Sequence, residues 1–193
     1  MQFSSGLAAN LAPKLFARHA RYRYRVFVEM LGWDLKVHDG QEVDQFDRDD
    51  TLYVVALDGD DDVIGTARLL PTTRPYLLGE VFPQLLGKSK PPCSSAVWEL
   101  SRFAAVDFDA PARDSLAQFS SPTTIKLLYA ALDAARQRGA ECLITVSPIG
   151  VERLLRKIGV SAWRAAPPVV IAGQALVATY IATDLHPRAG LPS

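Results

Sequence analysis

From Leu11 to Leu31 the apolar positions Leu11, Leu15, Tyr22, Val26, Phe27 and Met30 recur at a helical period, and Gly32 stops the run. An amphipathic helix is expected there. The pattern then shifts to strand. "TLYVVAL" (51–57) and "VIGTARLL" (63–70) flank the turn-rich "DGDDD", which predicts a hairpin with an acidic, solvated tip. "VWELSRFAAV" (97–106) reads as the next strand. Ser121 before Pro122 makes a helix start, Ile125, Leu128, Tyr129 and Leu132 carry the period, and Gly139 ends it. "CLITVS" (142–147) is apolar on both faces, as a central strand requires. A short helix near Val151 to Ile158 and two strands, "PPVVIA" and "ALVATYIAT", joined at Gly173 and Gln174, complete the chain. Helices alternate with strands without repeat or linker. The pattern therefore predicts one domain over residues 1–193, an α/β fold in which a mixed twisted sheet forms the middle of a three-layer α/β/α sandwich.

Composition narrows the class. The chain has 193 residues, 49% of them hydrophobic, and no apolar run of membrane-spanning length, so a soluble core is expected and no membrane insertion. The first residues lack the basic start, long apolar run and cleavage site of a secretory signal, which points to the cytoplasm. Cys93 and Cys142 stand in unrelated segments without metal-ligand spacing, so neither thiol chemistry nor a metal site is expected. A formal net charge of zero argues against a nucleic-acid partner. The charges are nonetheless segregated. Residues 39–62 hold ten acids and the single base Arg48, whereas residues 126–164 hold seven bases and three acids.

Several charges sit where a core would not want them. Side chains alternate along a strand, so Glu99 and Ser101 share one face with Phe103, while Arg102 points with Trp98 and Leu100 to the other. For Glu99 and Arg102 to reach one pocket the strand must bulge or twist sharply. Arg23 and Phe27 lie four apart on one helix face, and Trp33 follows the helix end. In "EVDQFDRDD" Asp44 and Asp47 are close enough to hold a cationic group between carboxylates, and Arg68 shares a strand face with Ile64, Thr66 and Leu70. Each also has an ordinary reading: an ion pair, a core aromatic, a turn, an edge residue.

"RYRVFVEMLGWD", "EVDQFD", "ARLLPTTRPYLL", "VFPQLL" and "WELSRFA" closely resemble, in order and spacing, the signature blocks of LuxI-type acyl-homoserine-lactone synthases, the autoinducer synthases. The resemblance runs from Arg23 to Arg102 and continues more weakly through "CLITVSPIGVERLLRKIG"; it departs in "FDAPARDSLAQFS" and in the C-terminal tail. It implies an N-acetyltransferase (GNAT)-like fold. It also implies that S-adenosylmethionine is a substrate rather than a cofactor. Its amine would attack an acyl thioester on acyl carrier protein, or in some members on coenzyme A. The carboxylate would then displace methylthioadenosine and close the lactone, a quorum-sensing signal. The family's characteristic positions fall on Arg23, Phe27, Trp33, Asp44, Asp47, Arg68, Phe82, Glu99 and Arg102.

An ammonium must lose a proton before it attacks, so Glu99 is expected as the base, directly or through a water, with Arg102 beside it. Asp44 and Asp47 would face the positive groups of S-adenosylmethionine, and Arg23 or Arg102 its carboxylate. Phe27 and Trp33 would wall the site, with a ring over the sulfonium. Ser101 and Thr145 are expected in the acyl-chain pocket. The basic Arg153, Arg156, Lys157 and Arg164 would draw in an acidic carrier protein. The alternative is a GNAT-type N-acyltransferase acting on a different amine. Such enzymes hold coenzyme pyrophosphate on a Gly-rich loop, and residues 106–121 contain no glycine.

Overall fold

The computed structural model describes residues 1–108 and 121–184. The chain enters as β1 (Gln2–Leu7), passes a 3-10 turn and forms α1 (Pro13–Arg23), which runs on as a π-helical segment, Tyr24–Met30. Two short strands, β2 (Val37–His38) and β3 (Gln41–Glu42), precede the hairpin of β4 (Leu52–Leu57) and β5 (Val63–Pro71). After α2 (Leu77–Val81) come β6 (Val97–Ala104), α3 (Pro122–Arg136), β7 (Cys142–Pro148) and α4 (Val151–Lys157). The chain ends in β8 (Ala162–Arg164), β9 (Val169–Ile171) and β10 (Gln174–Ala182).

The main sheet has the order β1-β4-β5-β6-β7-β10-β8, with β9 on β10. Only β6 and β7 run parallel among the described strands. One face, with Val54, Leu69, Trp98, Leu100 and Leu143, packs on Leu127, Leu128, Ala131 and Leu132 of α3. The opposite face packs on the 11–16 segment through Tyr53, Val55 and Leu57, and on α2 and the turn after it through Leu70 and Ile144. This is the three-layer α/β/α arrangement with a mixed sheet.

Two features of the sheet position the site. The β6–β7 ladder pairs Val97 with Cys142, Trp98 with Leu143 and Glu99 with Ile144, and among the described residues it goes no further. The two strands part after Glu99. Along the β5–β6 ladder, Thr66 faces Ala104 and Arg68 faces Ser101, so Ala67 alone opposes both Arg102 and Phe103. That extra residue is the bulge that side-chain parity demands. Arg102 takes it up with φ of 49°, a left-handed conformation rare for a side chain of this size.

Several elements escaped the sequence pattern, the two-residue β2 and β3 among them. β1, from the weakly patterned "QFSSGL", is an edge strand held by its ladder to β4. α2 is five residues long, and β8 three. The first helix changes pitch midway, its C-terminal N–H groups reaching back five residues, as from Leu31 to the Val26 carbonyl, 3.0 Å. The departures in "FDAPARDSLAQFS" from Asp109 onward, and the tail from Leu185, lie outside the described residues. No helix among the described residues is long and apolar enough to cross a membrane.

Ser121 caps α3, its hydroxyl accepting the Thr124 N–H at 3.1 Å. Ser121→Ala should lower the unfolding free energy by about 1 kcal/mol in a urea titration. An unchanged midpoint would show that the cap contributes nothing.

Candidate active site

Three guanidinium groups and three carboxylates, drawn from five segments, meet on the α1 side of the sheet. Arg23, the last residue of α1, donates from Nε to Glu42 at 2.6 Å and from both Nη atoms to Asp47 at 2.7 and 3.0 Å. Arg68 of β5 donates to Asp44 at 2.7 Å, to Asp47 at 3.1 Å and to Ser101 at 3.0 Å. Arg102 donates to both Glu42 oxygens, at 3.2 and 3.0 Å, and to Asp44 at 3.0 Å. The side chains of Arg23, Glu42, Asp47 and Arg68 are wholly buried, and only Asp44 (12%) and Arg102 (4%) keep exposed surface.

Burial would raise the Asp47 carboxyl, but Arg23, then Arg68 and the Tyr53 hydroxyl, override it and hold it well below the ordinary carboxylate range. Tyr53 Oη lies 2.5 Å from that carboxylate. His19 packs edge-on against Tyr53 and bonds Thr66; burial first, then Arg23, lower its pKa to about 3, so it stays neutral.

Glu99 stands apart from the cluster. It is 1% exposed, and its carboxylate accepts the N–H groups of Leu77 (3.0 Å) and Leu78 (2.6 Å) at the start of α2. Burial raises its pKa to about 7, outweighing those two bonds and the more distant charges of Arg68 and Arg102. Phe82 closes the other end of α2, half-buried against the apolar cluster of Leu78, Leu85 and Ile144. Glu99 therefore sits where β6 and β7 part, ionisable near neutral pH.

Phe27 and Trp33 stack at 5.0 Å, with the Arg102 guanidinium 5.6 and 5.9 Å from their ring centres. Phe27 is buried, while Trp33 is 45% exposed at the rim.

On the sheet's other face lies an apolar cavity of about 690 Å³. Leu100 and Phe103 of β6, Thr145 and Ser147 of β7, and Ile125 and Leu128 of α3 line it. Its far wall is α4.

Several expectations are corrected. Asp44 and Asp47 do hold cationic groups between them, but these are the chain's own guanidinium groups. Asp47 and Arg23 have no exposed side-chain surface to offer a ligand. Ser101 accepts from Arg68 on the Glu99 face, where regular alternation puts it, and the cavity lining on β6 is Leu100 and Phe103, the bulge having turned Phe103 to that side. Thr145 does line the cavity. Of the four proposed docking residues, Arg156 and Arg164 both bond the buried Glu152, which leaves Arg153 and Lys157, both exposed on α4, to present uncommitted charge. Lys157 also borders the cavity. Sequence reasoning missed Glu42, whose signal was its place at the head of "EVDQFD", and Ser147, hidden in a run that reads as core.

Residues 12–188 match the family described as autoinducer synthase. A relative from Acinetobacter nosocomialis, acyl-homoserine-lactone synthase, is 52% identical over 94% of this chain and 99% of its own. Among solved structures, TofI in a ternary complex with an inhibitor and MTA has a TM-score of 0.81 at 46% identity, covering 95% of this chain and 92% of that one. The CoA-dependent synthase BjaI, with SAM and isopentyl-CoA, has a TM-score of 0.81 at 26% identity, covering 99% and 90%. A putative N-acetyltransferase from Lactobacillus plantarum, at 22% identity and a TM-score of 0.60, shares the fold alone.

Asp47→Asn leaves Arg23 and Arg68 short of a buried counter-charge, so it should cost about 3 to 5 kcal/mol of unfolding free energy at neutral pH. A carboxyl held below its unfolded pKa stabilises fully above that value and loses the contribution as pH falls through the folded one. The gap between parent and variant should therefore narrow in acid. Equal denaturation midpoints at pH 7 would show that Asp47 does not hold the cluster together.

Proposed function

The chain belongs to the autoinducer synthase family and is an acyl-homoserine-lactone synthase, and we propose that Glu99 is the base that readies its amine substrate. The reaction joins S-adenosylmethionine to an acyl thioester. The methionyl nitrogen forms an amide with the acyl carbon and expels the thiol; the carboxylate oxygen then attacks the γ-carbon, closing the lactone and releasing methylthioadenosine. The observation that carries the assignment is the place of Glu99, a buried carboxylate at the point where β6 and β7 part, next in the chain to Leu100, which lines an acyl-sized apolar cavity on the other face.

An α-ammonium loses its proton near pH 8, and a carboxylate of ordinary acidity is a weak partner for it. A base whose pKa is about 7 comes within roughly one unit of a match, the condition under which general-base transfer contributes about 10² to 10⁴ in rate. The two backbone donors from α2 fix the carboxylate's orientation.

S-adenosylmethionine carries a sulfonium, an ammonium and a carboxylate. Within the charged cluster Asp44 and Arg102 alone keep exposed surface, which supports them as its contacts, one for each sign. Arg23, Glu42, Asp47 and Arg68 then act as the frame that holds those two. Phe27 and Trp33 supply a stacked wall, and a cation over such rings gains roughly 0.5 to 2 kcal/mol. The acyl chain takes the cavity across the sheet, Thr145 among its walls.

The donor is best read as acyl carrier protein. Such carriers are acidic, and the uncommitted charges of Arg153 and Lys157 lie on the helix that walls the cavity. Both substrates belong to intracellular metabolism, which supports the cytoplasm as the place of action.

The rate of methylthioadenosine release tests the base. Because burial raises the Glu99 pKa, the carboxylate form is lost as pH falls through about 7, and kcat/KM should drop tenfold per unit below it. Glu99→Gln should lower kcat/KM by about 10² to 10⁴ and remove the inflection. A variant with the parent's rate and profile would remove Glu99 from the chemistry.

Arg153→Glu reverses an exposed charge that does not border the cavity. It should raise the KM for acyl carrier protein at low salt. The defect should shrink as salt shortens the screening length to about 8 Å and below, while a small acyl thioester is used as well as by the parent. Equal carrier kinetics at low salt would place docking elsewhere.

A further inference from the structure

An exposed apolar strip lies at the end of the sheet where α4 begins. Val170 of β9 is 70% exposed, the highest fraction for a large apolar side chain among the described residues. Its neighbours Val169 and Ile171 pack with Leu70 and Ile144 on the α2 side, so alternation turns Val170 to the face that carries α4 and the cavity. Val170 pairs with Ala175 of β10, and from the other side Ile149, 47% exposed, donates its N–H to the Ala175 carbonyl at 3.1 Å. Ile149 and Val170 therefore flank one residue. α4 starts straight after Gly150, and the Arg153 N–H reaches the Gly150 carbonyl at 3.0 Å. Val151, between them, lines the cavity. The hairpin that holds Val170 out is tight: Ala172 and Gly173 form its turn with φ of 49° and 78°, a two-residue connection with little freedom.

We infer that Ile149 and Val170 are the apolar anchor on which an acyl carrier protein seats, with Arg153 at its rim. The inference rests on reading the donor as a carrier protein. Charge complementarity with Arg153 selects an acidic partner, and the continuity of the strip with the cavity wall at Val151 puts that partner where its acyl chain is handed over. Exposed charges govern encounter but hold weakly, and a docked complex also needs a desolvated apolar centre. The strip supplies one. A second copy of this chain is the less suitable occupant: β9 has three residues, and Pro167 and Pro168 lead into it, which leaves little edge for strand pairing.

The test is the KM for acyl carrier protein loaded with a saturated chain, measured for Val170→Thr and Ile149→Thr at low and high salt. Threonine keeps the branched shape that suits this backbone and puts a hydroxyl where a methyl group would be covered. Each variant should raise that KM about five- to tenfold. The ratio to the parent should not change with salt, because an apolar contact acts on dissociation rather than on encounter. Arg153→Glu, by contrast, should lose its defect as salt rises. Val170→Ile, which keeps the apolar surface, should retain the parent's KM. The KM for S-adenosylmethionine, the use of a small acyl thioester and the melting temperature should stay at the parent's values in both threonine variants. Parental carrier kinetics in both, a defect that salt abolishes, or an equal defect with the small thioester would overturn the proposal. So would a parent dimer in sedimentation that Val170→Thr splits, since the strip would then belong to a second copy. If the parent uses the small thioester as well as the carrier-bound chain, the carrier-protein reading itself fails and takes this one with it.

Discussion

Three arginines and three acids, buried together, can exist in this fold only because they neutralise one another. An unpaired ion in such a place would cost several kcal/mol, and each member of the cluster has at least two charged partners. Satisfying that constraint organises the surrounding backbone. Arg23 ends the regular part of the first helix, Glu42 comes from a two-residue strand, Asp44 and Asp47 from the loop after it, and Arg68 and Arg102 from neighbouring sheet strands. Arg102 reaches the cluster only through a bulge in which it adopts a positive φ, a strain of roughly 1 to 3 kcal/mol that its bonds to Glu42 and Asp44 offset.

The cluster consumes its own charge, so the chemistry falls to groups it leaves free. Glu99 shares the sheet face but is bonded by backbone amides rather than by guanidinium groups. Desolvation therefore dominates its acidity. The same strand serves both features: its bulge turns Arg102 into the cluster, and its Leu100 and Phe103 line the apolar cavity on the other face. The charged cluster and the apolar cavity thus lie on opposite faces of one sheet.

Much of this was legible in the residues. Period-2 and helical patterns located the long elements, and the parity of Glu99 and Arg102 demanded a bulge that the β5–β6 register contains. What stayed hidden depends on contacts distant in sequence. β1 has no strong pattern because its stability comes from hydrogen bonds to β4, and α2 is too short to show a period. The partners of Asp47 are 24 and 21 residues away, so its spacing to Asp44 suggested a ligand where the chain supplies its own cations. Ser101 and Ser147 have the same chemistry, and only the face that each strand turns to the cavity decides which one meets it.

Everything proposed for catalysis turns on the acidity of one carboxyl group. Titrating the Glu99 side-chain carbon by NMR in the free protein should give an inflection at about 7. An inflection near 4, the ordinary glutamate range, would mean that the gap between β6 and β7 is too wet or too cationic to create a base there, and the proton would have to leave the amine by another route.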